Sequence, residues 1–219
     1  DKRAMLSEFS AECAIAKVHT SEAYNHLADE AVQVFGGYGF SEEYPPARMY
    51  RDSRIARIYE GTNEICRLYA QRAILRRSWS GRLDLNGDGE YGGSSFSSAS
   101  YGEALGLDSR RSDIEGLKNV YLHLVAAVCA VVERERMFDP ENQQLISSLA
   151  DVAIEIFAAE SVFLRVSKGL SNPSVDGMEL YEDLEKIYFV RAVDRIRQEA
   201  NEILATLFTG PKLAEKLGE

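Results

Sequence analysis

The chain has 219 residues, of which 45% are hydrophobic, 10% aromatic and 27% charged. That composition describes a packed globular protein with room for one or two domains. A net charge of −10 makes it a poor electrostatic match for nucleic acid or for an anionic membrane surface.

Residues 3–35 read as one long helix, with Leu6, Phe9 and Cys13 marking one face and Ile15, Val18, Leu27, Ala31 and Phe35 an apolar stripe. Its alanines predict close helix–helix approach, and Gly36-Gly37 ends it. Residues 42–46 read as a loop, and Pro46 opens a short helix to about Ile55. A turn carrying Glu60 follows. Ile65, Leu68, Tyr69 and Leu75 then recur at helical spacing, so a helix is expected from Thr62, its N-cap, to Arg77. Residues 79–111 are rich in Gly and Ser and read as a linker, expected to be the most mobile part of the chain.

Three more helices have their own punctuation. Ser112 and Glu115 form a capping box for a helix to about Phe138, and Asp139-Pro140 starts a second, closed by Gly169. After the Ser171-Asn172-Pro173 turn a third runs from about Gly177 to Phe208 and stops at Gly210-Pro211. Leu117, Tyr121, Leu124, Val128 and Val132 form one expected core stripe; Leu180, Leu184, Ile187, Ile196, Ile203 and Leu207 form another. The fold class is all-α: two helical bundle modules, at 1–78 and 112–219, joined by the linker at 79–111.

The acidity is uneven. Residues 1–78 carry eleven basic and eleven acidic side chains, so the whole excess lies in 79–219. Cys13, Cys66 and Cys129 are odd in number and far apart, in apolar helical contexts, which predicts buried free thiols in a reducing compartment. The longest apolar run, Val120–Val132, is interrupted by His123 and is too short to span a bilayer. The chain starts at Asp1-Lys2-Arg3, inside a helical pattern and without an initiator Met, and so reads as a piece of a longer protein.

The residue with the most chemistry is Glu60, in the run Ile58-Tyr59-Glu60-Gly61-Thr62. An apolar pocket lined by a ring such as Tyr59 raises a carboxylate above its reference pKa of about 4.3. A general base for a weakly acidic C–H bond needs that shift. Gly61 lets a ligand approach the backbone. Gln33, Gly36, Gly37 and Gly39 form a second constellation: a glycine loop after a helix is either a plain C-cap or a close-approach surface for a cofactor phosphate or adenine. Arg51, Asp52, Arg54 and Arg57 offer an Arg–Asp pair to brace the Glu60 turn. Asp84, Asn86, Asp88 and Gly89 match the first half of a calcium loop, but Ser95 stands where a bidentate Glu is required, so no metal site is expected. His19, His26 and His123 have no metal-like spacing.

Together, the Gln33-x-x-Gly36-Gly37-x-Gly39 loop, the Arg51-Asp52-x-Arg54 element and the Tyr59-Glu60-Gly61-Thr62 turn resemble the C-terminal signature of acyl-CoA dehydrogenases, from about Ala11 to Arg76. Residues beyond the linker resemble, more weakly, the C-terminal extension of the very-long-chain branch. The resemblance implies an FAD-dependent enzyme that places an α,β double bond in acyl-CoA thioesters during fatty acid β-oxidation. Glu60 would remove the α-proton while a hydride leaves the β-carbon for flavin N5, and its backbone N–H would hold the thioester carbonyl oxygen. Tyr59 and Gly61 would line the substrate site. Gln33, Gly36 and Gly37 would meet the FAD of a neighbouring subunit, and Thr62 and Glu64 the flavin side of the site. Glu64 stands where other members carry Gln, and a carboxylate cannot donate as an amide does.

The resemblance further implies a homo-oligomer, here a dimer, since the extension covers surface used elsewhere for tetramers. It implies electron-transfer flavoprotein as acceptor and a bacterial cytoplasmic or mitochondrial matrix location. Most of the flavin pocket would lie outside these residues, so the chain alone is expected to be inactive. The alternative is a non-catalytic helical assembly module derived from such a dehydrogenase; an intact Glu60 favours the enzyme.

Overall fold

A computed structural model of the chain describes residues 8–83, 108–170 and 177–209. Among these described residues there are seven α-helices and two 3₁₀ turns. The helices are α1 (Ser10–Phe35), α2 (Gly37–Phe40), α3 (Pro45–Ala56), α4 (Asn63–Trp79), α5 (Asp108–Val131), α6 (Gln143–Leu170) and α7 (Met178–Thr209). No strand occurs among the described residues, so the all-α expectation holds. The chain divides into two compact units, Asp1–Ile74 and Leu75–Glu219.

In the first unit, α1 buries Ala11, Ala14, Ile15, Val18, Ser21 and Ala28. These recur every three or four residues, so small side chains share one face. Helix α3 answers with Pro46, Ala47 and Ser53, and small residues on both sides let the backbones approach. The stripe expected from sequence is only partly right. Val18 and Ile15 are buried, whereas Phe9, Leu27 and Phe35 are 56%, 66% and 48% exposed.

The face of α4 is corrected more thoroughly. Ile65 and Tyr69, expected to point inward, are exposed, and the buried positions are Asn63, Ala70, Gln71 and Leu75. Leu75, also expected to point inward, is buried as predicted, so the inward face mixes Asn63 and Gln71 with Ala70 and Leu75 and apolar periodicity marked only part of it.

The second unit is a bundle of α5, α6 and α7. Tyr121, Leu124, Val128 and Val132 are buried on α5, as their spacing predicts. They meet Ile146, Leu149, Val152, Ile156 and Phe163 of α6 and Ile196, Ile203 and Leu207 of α7 in the unit's buried set. Leu180, Leu184 and Ile187 depart from expectation: they are at least half exposed, so only the C-terminal half of α7 follows its predicted stripe. Glu185 and Ala192 are the buried residues of that first half among the described side chains, and Arg110 Nε of α5 meets Glu185 Oε1 at 3.2 Å. Burial pushes the Glu185 carboxyl above its usual value; the charges of Arg110 and Lys186 oppose this.

Helix α5 starts at Asp108, so Ser112 and Glu115 lie inside it and form no capping box. Glu115 instead accepts a hydrogen bond from Lys118 at 3.1 Å, and Lys118 also donates to Glu160 of α6 at 2.7 Å. The helix ends at Val131 and does not reach Phe138. The break carries Met137 into the core and brings Arg134 and Phe138 onto Trp79, with the guanidinium 4.4 Å from the ring centroid and the rings 6.3 Å apart at 76°.

The residue 110–131 segment is long and apolar enough, by length and composition, to cross a membrane. This corrects the shorter run read from sequence. Its Tyr121, Leu122, Leu124, Val125 and Val128 are core residues of the bundle.

At the start of α6, Asp139 makes no side-chain cap. The buried Asn142 does the tying, donating from Nδ2 to the Arg136 carbonyl at 2.7 Å. All three cysteines are free, but Cys13 and Cys129 are exposed and Cys66 is half-buried, which corrects the expectation of three buried thiols. Residues 84–107 fall outside the described set. So do the calcium-like pattern at 84–89, most of the linker whose mobility was expected, the turn at 171–173 and the stop at 210–211.

Candidate active site

Glu60 sits at φ +56° and is the sole non-glycine residue with positive φ among the described residues. Gly61 follows at φ +91°. Two consecutive left-handed residues make a tight reversal between α3 and α4. A side chain in that region costs about 1–3 kcal/mol and persists only where the surroundings over-determine it. Here they do.

Upstream, the N–H groups of Ile58 and Tyr59 donate to the Ile55 carbonyl at 2.9 and 3.2 Å. Arg57 donates to Asn25 Oδ1 at 3.3 Å, and Asn25 donates to Ser53 Oγ at 3.0 Å, in turn a donor to the Tyr50 carbonyl. Downstream, the Asn63 N–H closes the turn on the Arg57 carbonyl at 3.1 Å. The Asn63 side chain is fully buried and held wholly by α1. Its Oδ1 accepts from Lys17 at 2.6 Å; its Nδ2 donates to Ser21 Oγ at 2.9 Å and to Glu22 Oε1 at 3.0 Å. Arg67, one turn along α4, forks onto both Glu22 oxygens at 2.8 and 3.0 Å.

Burial acts to raise the Glu22 carboxyl, but the hydrogen bonds from Arg67 and Asn63 and the charges of Arg67 and Arg57 outweigh it. The carboxyl is held below its usual range.

Thr62 is the N-cap expected of it: its Oγ1 accepts from the Ile65 N–H at 3.3 Å. Glu64 follows at the exposed first turn of α4. Its own backbone N–H and the Thr62 hydroxyl hydrogen-bond its carboxylate and hold its pKa below the usual value. Both side chains are therefore engaged in starting the helix.

Glu60 itself is exposed, with Tyr59 55% exposed beside it. The first unit thus supplies the turn but not the apolar enclosure expected around the carboxylate. Among the described residues Glu60 has no hydrogen-bond or ion-pair partner. Its carboxylate and its backbone N–H both remain available to a ligand.

The Arg–Asp brace expected from Arg51, Asp52, Arg54 and Arg57 is not built that way. Asp52 pairs with Arg48 at 3.6 Å and Arg51 with Glu42 at 3.1 Å, both on the surface. Only Arg57 reaches the turn's support, through Asn25. The working brace is Lys17, Ser21, Glu22, Asn25, Asn63 and Arg67. Arg57, which Asn25 holds, is the one supporting residue that the sequence singled out. A signal for the rest exists in α1, where Lys17, Ser21 and Asn25 recur every four residues along an alanine-rich helix.

The glycine loop lies at the other end of α1. Gln33, Gly36 and Gly37 are exposed there, with Val34, Tyr38 and Phe40 at 82%, 68% and 85% exposure. Gly36 has φ +60°, and its N–H donates to the Gln33 carbonyl at 3.1 Å. A Cβ on Gly37 would meet nothing within 4 Å, whereas one on Gly39 would lie 2.5 Å from the Val32 carbonyl oxygen. Gly39 is thus required by packing and Gly36 by conformation. Gly37 has no local steric need, which leaves an open backbone surface able to receive a flat or phosphate-bearing group. The exposed Gln33 side chain and the open backbone of Gly36 and Gly37 leave room for a cofactor phosphate or adenine. Thr62 and Glu64 fit less well, since the helix start already engages their polar atoms.

The site and both units belong to one class of protein. Residues 2–75 match the family model described as "Acyl-CoA dehydrogenase, C-terminal domain", and residues 117–218 match a second model of the same description. The chain belongs to the acyl-CoA dehydrogenase family, as its C-terminal region.

It is 31% identical to a Bacillus subtilis protein named "Probable acyl-CoA dehydrogenase", over 95% of this chain and 35% of that one. It is also 31% identical to the human mitochondrial very long-chain specific acyl-CoA dehydrogenase, over 88% of this chain and 32% of that one. A crystal structure of an acyl-CoA dehydrogenase from Bacillus anthracis complexed with FAD superposes with a TM-score of 0.80 at 29% identity. It covers 98% of this chain and 36% of that one. The chain therefore spans about a third of the length of the relatives it matches. The bacterial and very-long-chain relatives are equally similar, so the branch is not distinguished.

Proposed function

We propose that this chain carries the catalytic base of an FAD-dependent acyl-CoA dehydrogenase, with Glu60 taking the α-proton of an acyl-CoA thioester. The observation that supports this best is the left-handed Glu60, unpaired and exposed, on a turn held from both ends. A module retained only for assembly has no use for that strain, and Gly or Asn at this position would relieve it. This weighs against the non-catalytic alternative.

The residues divide the work. Glu60 accepts the α-proton at its carboxylate. Its backbone N–H is available to the thioester oxygen, where charge grows as the proton leaves. Tyr59 and Gly61 flank the acyl chain next to the reacting carbon. Gln33, Gly36 and Gly37 hold the adenosine part of an FAD bound by a second subunit; Thr62 and Glu64 face the flavin side. FAD, when bound, supplies the acceptor for the hydride from the β-carbon. Exclusion of water from Glu60 falls to parts of the full-length protein beyond this chain.

The same reading assigns 1–78 to the catalytic bundle, 79–111 to a linker and 112–219 to an appended domain. It takes the intact protein as a homodimer serving fatty acid β-oxidation in the bacterial cytoplasm or the mitochondrial matrix, with electron-transfer flavoprotein as acceptor.

The test is turnover of a saturated acyl-CoA by the full-length flavoprotein, read as formation of the α,β-unsaturated thioester. The wild type should form it and Glu60→Gln, with the same flavin content, should not. Product formation by Glu60→Gln at a rate within tenfold of wild type would overturn the reading.

A further inference from the structure

The base of the turn is gripped from a helix more than forty positions earlier, and one residue there touches the strained backbone itself. Lys17 Nζ donates to the Gly61 carbonyl at 2.7 Å and to Asn63 Oδ1 at 2.6 Å. Gly61 is the second of the two left-handed residues, and its carbonyl opens the peptide that leads into Thr62 and α4. Its other contact is a long one from the Cys66 thiol, at 3.6 Å. The remaining brace residues act at a distance. Ser21 and Glu22 hold Asn63; Asn25 holds Arg57; Arg67 holds Glu22.

Two successive residues with positive φ are one peptide rotation away from ordinary turn geometries, which point the first side chain elsewhere. The Lys17 ammonium holds the next peptide, Gly61–Thr62, by its carbonyl, so the downstream end of the turn is anchored where Glu60 and Gly61 must close onto α4.

We propose that Lys17 is a positioning residue for Glu60: its paired hydrogen bonds to Gly61 and Asn63 fix the left-handed turn and so the direction of the carboxylate. The inference rests on the reading of Glu60 as the base. It adds that the base is aimed by an ammonium on α1 and not by the turn's own sequence. A purely structural lysine would affect stability and flavin content together, whereas a positioning lysine affects the chemical step. A base displaced by about 1 Å costs up to about a hundredfold in rate.

The experiment uses the full-length holoenzyme with a saturated acyl-CoA, comparing wild type, Lys17→Met, Lys17→Arg, Lys17→Gln and Glu60→Gln. Lys17→Met should lower kcat by about tenfold to a hundredfold, with KM within about threefold and flavin content unchanged. Lys17→Arg, which can still reach both acceptors, should recover most of the loss, and Lys17→Gln, with a neutral donor, should fall between. If Lys17→Met does not fold, the Arg and Gln variants carry the test through the same kcat-against-KM split. Unchanged kcat in Lys17→Met or Lys17→Gln, or a loss that tracks flavin content, would overturn the inference. Glu60→Gln separates the two readings: near-normal turnover there sinks the base assignment itself, while an inactive Glu60→Gln beside a fully active Lys17→Met sinks only the role of Lys17.

Discussion

Arg67 of α4 grips Glu22 of α1 with both ends of its guanidinium, at 2.8 and 3.0 Å, forty-five positions apart in the chain. The pair sits beneath the Asn63 anchor and is 15% and 33% exposed. Its geometry is the bidentate fork that makes such pairs stronger than ordinary surface bridges.

The pair sets an acid limit. The Glu22 carboxyl has a folded pKa below its ordinary value of 4.5. The stability this contributes is therefore fully present above pH 4.5 and is lost as pH falls through the lower folded value. Glu22→Gln should cost about 1 kcal/mol at neutral pH, allowing for partial solvent screening, and should flatten the loss of stability below pH 4.5. Chemical denaturation of both proteins at neutral and acidic pH measures this; parallel pH profiles would refute it.

The three glycines of the loop should respond differently to alanine. Gly39→Ala places a Cβ 2.5 Å from the Val32 carbonyl oxygen and should destabilise most. Gly36→Ala meets no clash but must hold φ +60°, at a cost of about 1–2 kcal/mol. Gly37→Ala has neither problem, so its stability should stay within about 0.5 kcal/mol of wild type. If Gly37 receives FAD from a second subunit, that variant should bind flavin more weakly while folding normally. Thermal melts and flavin occupancy of the purified variants separate the two effects.

Glu60 carries conformational strain that a glycine would not. Replacing it removes about 1–2 kcal/mol of left-handed cost, less the entropy glycine adds to the unfolded chain. Glu60→Gly should therefore be as stable as wild type or up to about 1 kcal/mol more stable, while losing activity. A lower melting temperature would mean that Glu60 makes a stabilising contact in the full-length protein.

The second unit has an apolar core of its own. Ile146 and Ile203 are 0% and 1% exposed on facing helices α6 and α7. Truncating either to Ala should cost about 2–5 kcal/mol. A protein comprising residues 112–219 should unfold cooperatively, and the same truncations should lower its transition. A broad, non-cooperative melt would count against an independent domain.

The helices were legible in the sequence because their strongest signals are local. Thr62 caps α4, Gly36 ends α1, and Tyr121, Leu124 and Val128 recur at the spacing that buries them. Faces were less legible where burial is polar. Asn63 and Gln71 are both fully buried on α4, while Ile65 and Tyr69 face outward, so a rule that sends apolar residues inward placed Leu75 correctly but misplaced those two. The capping box at Ser112 failed because its pattern also occurs inside a helix, where Glu115 serves Lys118. The turn around Glu60 was readable from its own residues. Its support was not, since Lys17 and Glu22 lie more than forty positions away and reach the site only once α1 is in place.

Every role proposed for this site depends on Glu60 acting as the base. The most direct measurement is anaerobic single-turnover flavin reduction by a saturated acyl-CoA, comparing full-length wild type with Glu60→Gln at equal flavin content. Removing the base should slow reduction by about 10²–10⁴-fold with the bound flavin otherwise unchanged. Reduction of the Glu60→Gln flavin at a rate within tenfold of wild type would contradict it.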